Sequence, residues 1–280
     1  MPVVADRYFK ERGAVKQMKN LILVLLAGCF ITMANAADFQ RVTVQPQGEQ
    51  KVVGPCIGDH STLQLKNDVI SVIAQNGESY SLNADEQTEA LDAYFGSDAD
   101  SGLCVMAIKY AENEVNESFS LFVFDPQQNR FKPSAVKTIT NPEFTNNQII
   151  SYYKDGPTNY TDTLCFESKD YFPCEKREWF AERLGKQQMC EGEDACALPD
   201  IISEATGQPV DATIASAKVY LLNKNDEAVF TQRKAYLVRG DSVTLNDYVR
   251  NDEGLYFQVT FIGKVKTVGW VPAKSLNIEY

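Results

Sequence analysis

The 280-residue sequence predicts an all-β fold with one or two short helices. Three observations carry this. Apolar residues recur with period two, as in Phe119, Leu121 and Val123 or Val243 and Leu245. Turn-forming pairs separate these runs: Gly54-Pro55, Asp125-Pro126, Asn141-Pro142 and Gly156-Pro157. Six cysteines follow an export signal, which suits disulfide-pinned β structure.

The export signal is Met18 to Ala37, MKNLILVLLAGCFITMANAA. One lysine, an apolar run from Leu21 to Met33 and the small-residue exit Ala34-Asn35-Ala36 are the three parts of a secretory signal peptide. The run is shorter than the roughly 20 apolar residues of a membrane-spanning helix. Residues 1–17 are mixed and charged, so Met18 reads as the true start and residues 1–17 as an over-extended N-terminus. Residues 18–36 read as a signal peptide cut near Ala36, which makes the mature chain periplasmic. Leu26-Ala27-Gly28-Cys29 offers the alternative of a lipoprotein acylated at Cys29. Phe30, Ile31 and Met33 continue the apolar run past it and favour the cut at Ala36.

Residues 37–280 hold 22 Lys and Arg against 36 Asp and Glu, a formal charge of −14. Such a surface disfavours nucleic acid and anionic headgroups and suits a basic partner; plain solubility is its other reading. The six cysteines argue for three disulfides. A hairpin turn at Lys169-Asp170 would set Cys165 opposite Cys174. Cys190 and Cys196 would close the acidic loop CEGEDAC, which leaves Cys56 for Cys104. Zinc would need a CxxC or more than the single His60.

In chain order, residues 37–73 read as short strands: Phe39 to Val44, Thr62 to Leu65 and Val69 to Ile73. Ser81 to Phe95 reads as a helix, with Asn83 as N-cap, Glu86 three residues later, and a stripe of Ala90, Leu91 and Tyr94. Asp98 and Asp100 occupy the first and third positions of a calcium-loop start. The glycine falls one place early, at Gly102, and no carboxylate follows at the required offset, so an Asp-rich turn is the preferred reading and no cofactor is expected. Phe119 to Phe124 is apolar on both faces and so expects cover on both. Strands recur at Arg130-Phe131, Gln148 to Tyr153 and through the hairpin Asn159 to Cys174. Glu175 to Leu184 suits either a strand or a helix. Residues 186–213 read as a linker with the disulfide loop and a short helix near Leu198 to Ala205.

The order SFSLFVFDPQQNRFKPSAVKTITNPEF, then IISYYKDGPTNYTDTLCF, resembles a family of exported bacterial proteins with a β-propeller-like fold. The resemblance covers Leu103 to Trp179. It implies a propeller-like domain over residues 37–185 and an immunity protein that inhibits a lysozyme-like toxin. The calcium loops of that family are degenerate here at Asp98–Gly102.

Residues 214–280 contain AYLVRGDSVTLNDYV, NDEGLYFQVTF and KTVGWVPAKSLNI. They resemble a bacterial SH3 domain, a small barrel of about five strands. The resemblance implies binding of peptidoglycan or peptides in an aromatic groove, with Tyr220, Tyr236, Tyr256 and Trp270 as candidates. The competing role for these rings is half core, half surface.

Catalytic signals are sparse. His60 has no nucleophile elbow near it, and neither a phosphate loop nor a metal-ligand spacing is present. The expectation is a non-catalytic binding protein whose partner is a basic cell-wall hydrolase, with Asp98, Asp100 and the CEGEDAC loop as contacts. A peptidoglycan-binding or peptide-binding envelope protein is the alternative.

Overall fold

The computed structural model describes residues 39–51, 61–67, 69–74, 76–82, 90–98, 101–145, 148–181, 183–192 and 195–279. The signal-peptide reading, Cys29, Ala36, Cys56, His60 and Asp100 lie outside the described residues. Asn35–Tyr280 forms one compact unit.

The fold is all-β, with strands β1 (Gln40–Val44), β2 (Glu49–Lys51), β3 (Thr62–Lys66), β4 (Val69–Ile73), β5 (Ser79–Ser81), β6 (Leu91–Ser97), β7 (Cys104–Glu112), β8 (Glu117–Asp125) and β9 (Arg130–Thr140) in its first part. β2 to β5 form a four-stranded sheet; β1 and β6 to β9 form a five-stranded one in the order β1-β6-β7-β8-β9. Next come β10 (Glu143–Phe144), β11 (Gln148–Asp155), β12 (Thr158–Glu167), β13 (Asp170–Ala181), β14 (Leu184–Met189) and β15 (Asp200–Ser203), a six-stranded meander. The remainder is β16 (Asp211–Ile214), β17 (Lys218–Lys224), β18 (Phe230–Val238), β19 (Ser242–Asn251), β20 (Gly254–Ile262), β21 (Lys266–Pro272) and β22 (Leu276–Ile278), in the sheet order β18-β17-β21-β20-β19-β16-β22.

Three sheets stack in chain order. Phe122 and Phe124 of β8 enter one core with Leu63, Leu65, Ile70 and Val72 of the four-stranded sheet. Phe119, Leu121 and Val123 enter another with Ile149, Leu164 and Tyr171 of the six-stranded sheet. β8 is therefore covered on both faces, as the apolar residues on each of them require. The inward residues of β16 to β21 converge on a third core, among them Leu221, Leu245, Phe257 and Val259. One face of a seven-stranded sheet can meet itself this way only if the sheet curls, and it forms a half-barrel.

Two predicted helices are corrected. Leu91–Ser97 is a strand: Leu91, Ala93 and Phe95 alternate into the core, and Tyr94 faces the other way onto Phe119. Period two beats the apparent helical stripe because β6 lies between β1 and β7. Asn83 and Glu86 lie outside the described residues. Near Leu198 to Ala205 the chain is β15, hydrogen-bonded to β14. Among the described residues there is no α-helix, only the single 3-10 turn Ala273–Ser275. Glu175 to Leu184 resolves as the end of β13 and the start of β14. Trp179 lies against Gly185, directly opposite it, where an added methyl group would come within 2.5 Å of the indole.

Residues 186–213 bridge the last two sheets. Val210 N–H donates to Ile201 O at 2.8 Å, and β16 passes on to pair with β19. Ile201 and Val210, with Phe180 and Leu184, belong to the half-barrel core.

Candidate functional site

The site is built on the hairpin β11–β12. Gly156 (φ 55°) opens the turn, and Asp155 pairs with Thr158. This register sets Tyr153 opposite Tyr160 and Ser151 opposite Asp162; on β13, Glu178 faces Tyr160 and Lys176 faces Asp162. Lys186 of β14 lies beside Glu178. Side chains two apart share a face of a strand, so Tyr153, Tyr160, Asp162, Lys176, Glu178 and Lys186 form one polar face.

Tyr153 and Tyr160 stack at 4.8 Å between ring centres, 7° from parallel. The Asp162 carboxylate acts on the Tyr153 phenol and the Glu178 carboxylate on that of Tyr160. At the far end β19 docks on the same face. Tyr248 O–H donates to Glu178 Oε1 at 2.5 Å, its ring stacks on Phe180 at 3.5 Å, and Lys186 Nζ meets Asp247 Oδ1 at 2.8 Å. A cleft of about 240 Å³ on this face is lined by Tyr153, Tyr160, Asp162, Lys176, Glu178 and Lys186.

Burial and the neighbouring Asp162 push the Tyr153 phenol up to about 12. Burial, then the Glu178 carboxylate, raises Tyr160 and Tyr248 as well. Asp162 is raised chiefly by burial, against the pull of Lys176. All three phenols therefore stay protonated near neutral pH and present O–H groups to the carboxylates. Such a cluster offers hydrogen bonds and ring faces to a partner.

The opposite face of the hairpin is held by its own carboxylate. Glu175 accepts from Arg177 Nε at 2.6 Å, from Thr163 Oγ1 at 3.4 Å and from Gln187 Nε2. Tyr152 O–H reaches Glu143 at 3.2 Å. Two asparagines clasp the hairpin to the five-stranded sheet. Asn116 Nδ2 donates to Lys154 O at 3.0 Å and its Oδ1 accepts Lys154 N–H at 3.1 Å. Asn141 Nδ2 donates to Val115 O and Tyr152 O, each at 3.0 Å. Side-chain amides thus do here what a strand neighbour does elsewhere.

The residues singled out in the sequence fall in three other places. Asp98 is buried at the end of β6; its Oδ1 accepts Ser101 N–H at 2.8 Å, and after burial itself its charge is the next cause that raises the Tyr171 phenol. It is a turn-forming residue that faces the core. Among the described residues no cluster of three or more His, Cys, Asp or Glu is arranged around a metal position.

The four groove candidates divide into two pairs on the outer face of the half-barrel. Tyr220 and Tyr236 are cross-strand neighbours, 38% and 52% exposed, with Lys218 Nζ 4.5 and 4.0 Å from their ring centres. Tyr256 and Trp270 are nearly buried under Phe230, which lies 4.1 and 5.9 Å from them. Phe230 was not foreseen, since it lies in sequence 26 positions before Tyr256 and only the strand order β18-β17-β21-β20 brings it there.

Cys165–Cys174 and Cys190–Cys196 are disulfides, and Cys104 is disulfide-bonded too. These bonds fit an oxidising, non-cytoplasmic compartment. Among the described residues no helix is long and apolar enough to cross a membrane. Compared with protein families, with curated proteins and with solved structures, the chain matches none of them.

Proposed function

We propose that this chain is a non-catalytic exported binding protein, acting in the periplasm as an inhibitor of, or immunity factor against, a basic cell-wall hydrolase. The observation that carries the reading is the charge of residues 37–213: 13 Lys and Arg against 29 Asp and Glu, a formal −16. A field of that size steers a cationic partner in and repels acidic ones. The tyrosine face of β11–β13 supplies the contact surface. Tyrosine gives large ring area at little conformational cost, plus a phenol for hydrogen bonds and a ring face for Lys or Arg. Inhibition is steric, by occupation of the enzyme's cleft.

The test is turbidity loss of cell walls under a basic lysozyme-like enzyme, with and without purified Asn35–Tyr280. Near-stoichiometric inhibition that weakens with salt is expected, and Tyr153→Ala with Tyr160→Ala should weaken it about tenfold or more. If no such enzyme is bound or slowed, the product of a neighbouring gene included, the reading is abandoned.

A second reading rests on the outer aromatic face of the half-barrel, where Tyr220, Tyr236 and Lys218 are exposed. There the protein would bind peptidoglycan. Pull-down on purified cell wall that fails after Tyr236→Ala, an exposed position, would favour it.

A further inference from the structure

The net charge conceals a division. Residues 37–213 carry the formal −16, whereas residues 214–280 hold 9 Lys and Arg against 7 Asp and Glu, a formal +2. Within the half-barrel, four of the nine basic residues share one outward face. Leu221, Leu237, Phe257, Val259 and Val271 point into the core. The alternate positions of β17, β18, β20 and β21 point outward, and they include Lys218, Lys224, Lys234 and Lys266 with no carboxylate. The exposed Asp226 and Glu227 stand in the β17–β18 turn, off these strands.

The hairpin joining β20 to β21 ends this face. Ile262 is 78% exposed and Val265 74%; among the large hydrophobics described, only Leu198 at 79% is more so. Lys264 and Lys266 flank Val265 and are exposed as well. Aliphatic side chains at a tip gain only where they can leave water. A charged sugar or peptide polymer offers no apolar phase, whereas the boundary of headgroups and acyl chains does. Lysines beside it gain from anionic headgroups over a Debye length.

We propose that the β20–β21 tip seats the protein on an anionic lipid surface. Ile262 and Val265 enter the headgroup boundary, Lys264 and Lys266 pair with lipid phosphates, and the acidic sheets are turned away from the bilayer by repulsion. The chain's overall negative charge argues against headgroup binding only when it is averaged over both parts. The proposal is independent of the hydrolase reading: one concerns the tip, the other the tyrosine face.

The test is co-sedimentation of Asn35–Tyr280, which lacks the apolar run of residues 21–33, with vesicles. Phosphatidylcholine vesicles are compared with vesicles containing phosphatidylglycerol, and poly-L-glutamate serves as the polymer control. Binding to the anionic vesicles alone is expected, weakening with salt. Ile262→Asp with Val265→Asp should lower the partition coefficient about tenfold or more, and so should Lys264→Glu with Lys266→Glu. All four positions are exposed, so unchanged circular dichroism should accompany the loss. No sedimentation with anionic vesicles would overturn the proposal, as would binding indifferent to the apolar substitutions. Equal binding of poly-L-glutamate by wild type and the Ile262/Val265 variant would assign the face to an acidic polymer and overturn it too.

Discussion

Tyr153 illustrates how position sets the chemistry of a single side chain. An unburied phenol ionises near pH 10, yet its burial and the adjoining Asp162 raise it to about 12. The folded state therefore binds this proton more tightly than the unfolded chain does. For a group raised on folding, the stabilising contribution is complete below the unfolded value and falls away as pH climbs through the folded one. Stability contributed by Tyr153 should be intact up to about pH 10 and should decline between about pH 10 and 12. Tyr153→Phe removes the titrating group, so the stability gap between wild type and variant should change across that window. Denaturant unfolding at closely spaced pH values measures it, with phenolate absorbance of the folded proteins as the direct check. A gap independent of pH would show that the phenol titrates alike in both states.

The hairpin β12–β13 shows what the sequence discloses about an element and what it withholds. The pairing of Cys165 with Cys174 was legible, and so was the Gly156 turn, which by itself sets Tyr153 opposite Tyr160. The turn between β12 and β13 was misplaced by one residue. It lies at Ser168-Lys169, both with positive φ, and Glu167 pairs with Asp170. Asp170 is kept out of the turn because its carboxylate holds Ser134 Oγ at 2.5 Å and Ala135 N–H at 3.1 Å on β9. Cys165 then faces Phe172, and a bulge after Thr163 leaves Cys174 as the extra residue that reaches back to it. No local pattern announces a tertiary hydrogen bond from β9, and the same holds for Tyr248 on Glu178, 70 positions apart. The helix expected around Leu91 failed for a like reason: the neighbours that make it a strand are β1 and β7. Replacing both Cys165 and Cys174 by Ala should cost about 2–3 kcal/mol, the loop-closure entropy of a short loop. Urea unfolding under identical oxidising conditions reads this directly. A cost near zero would mean that the bulged register holds the hairpin without the bond.

The whole molecule raises the question of whether the half-barrel stands alone. Its compact sequence, residues 214–280, suggests an autonomous barrel behind a linker. Its core says otherwise, since Phe180, Leu184, Ile201 and Val210 come from the preceding segment. A seven-stranded sheet curled only halfway leaves one side of that core open, and the end of β13 to β15 covers it. Tyr248 on Glu178 and Lys186 on Asp247 add polar contacts along the same seam. Removing that cover exposes apolar surface that a domain of some 67 residues can ill spare. Residues 214–280 expressed alone should therefore show poor amide dispersion and no cooperative unfolding. In the intact unit, Phe180→Ala should cost about 3 kcal/mol, the usual loss for a buried phenylalanine. The two tryptophans allow a sharper check, because Trp179 belongs to the six-stranded sheet and Trp270 to the half-barrel. In a Trp179→Phe variant, Trp270 fluorescence should report the same urea midpoint as far-ultraviolet circular dichroism of all the sheets. A lower midpoint for Trp270 would show the half-barrel opening first, and the shared core would then count for less than its buried residues imply.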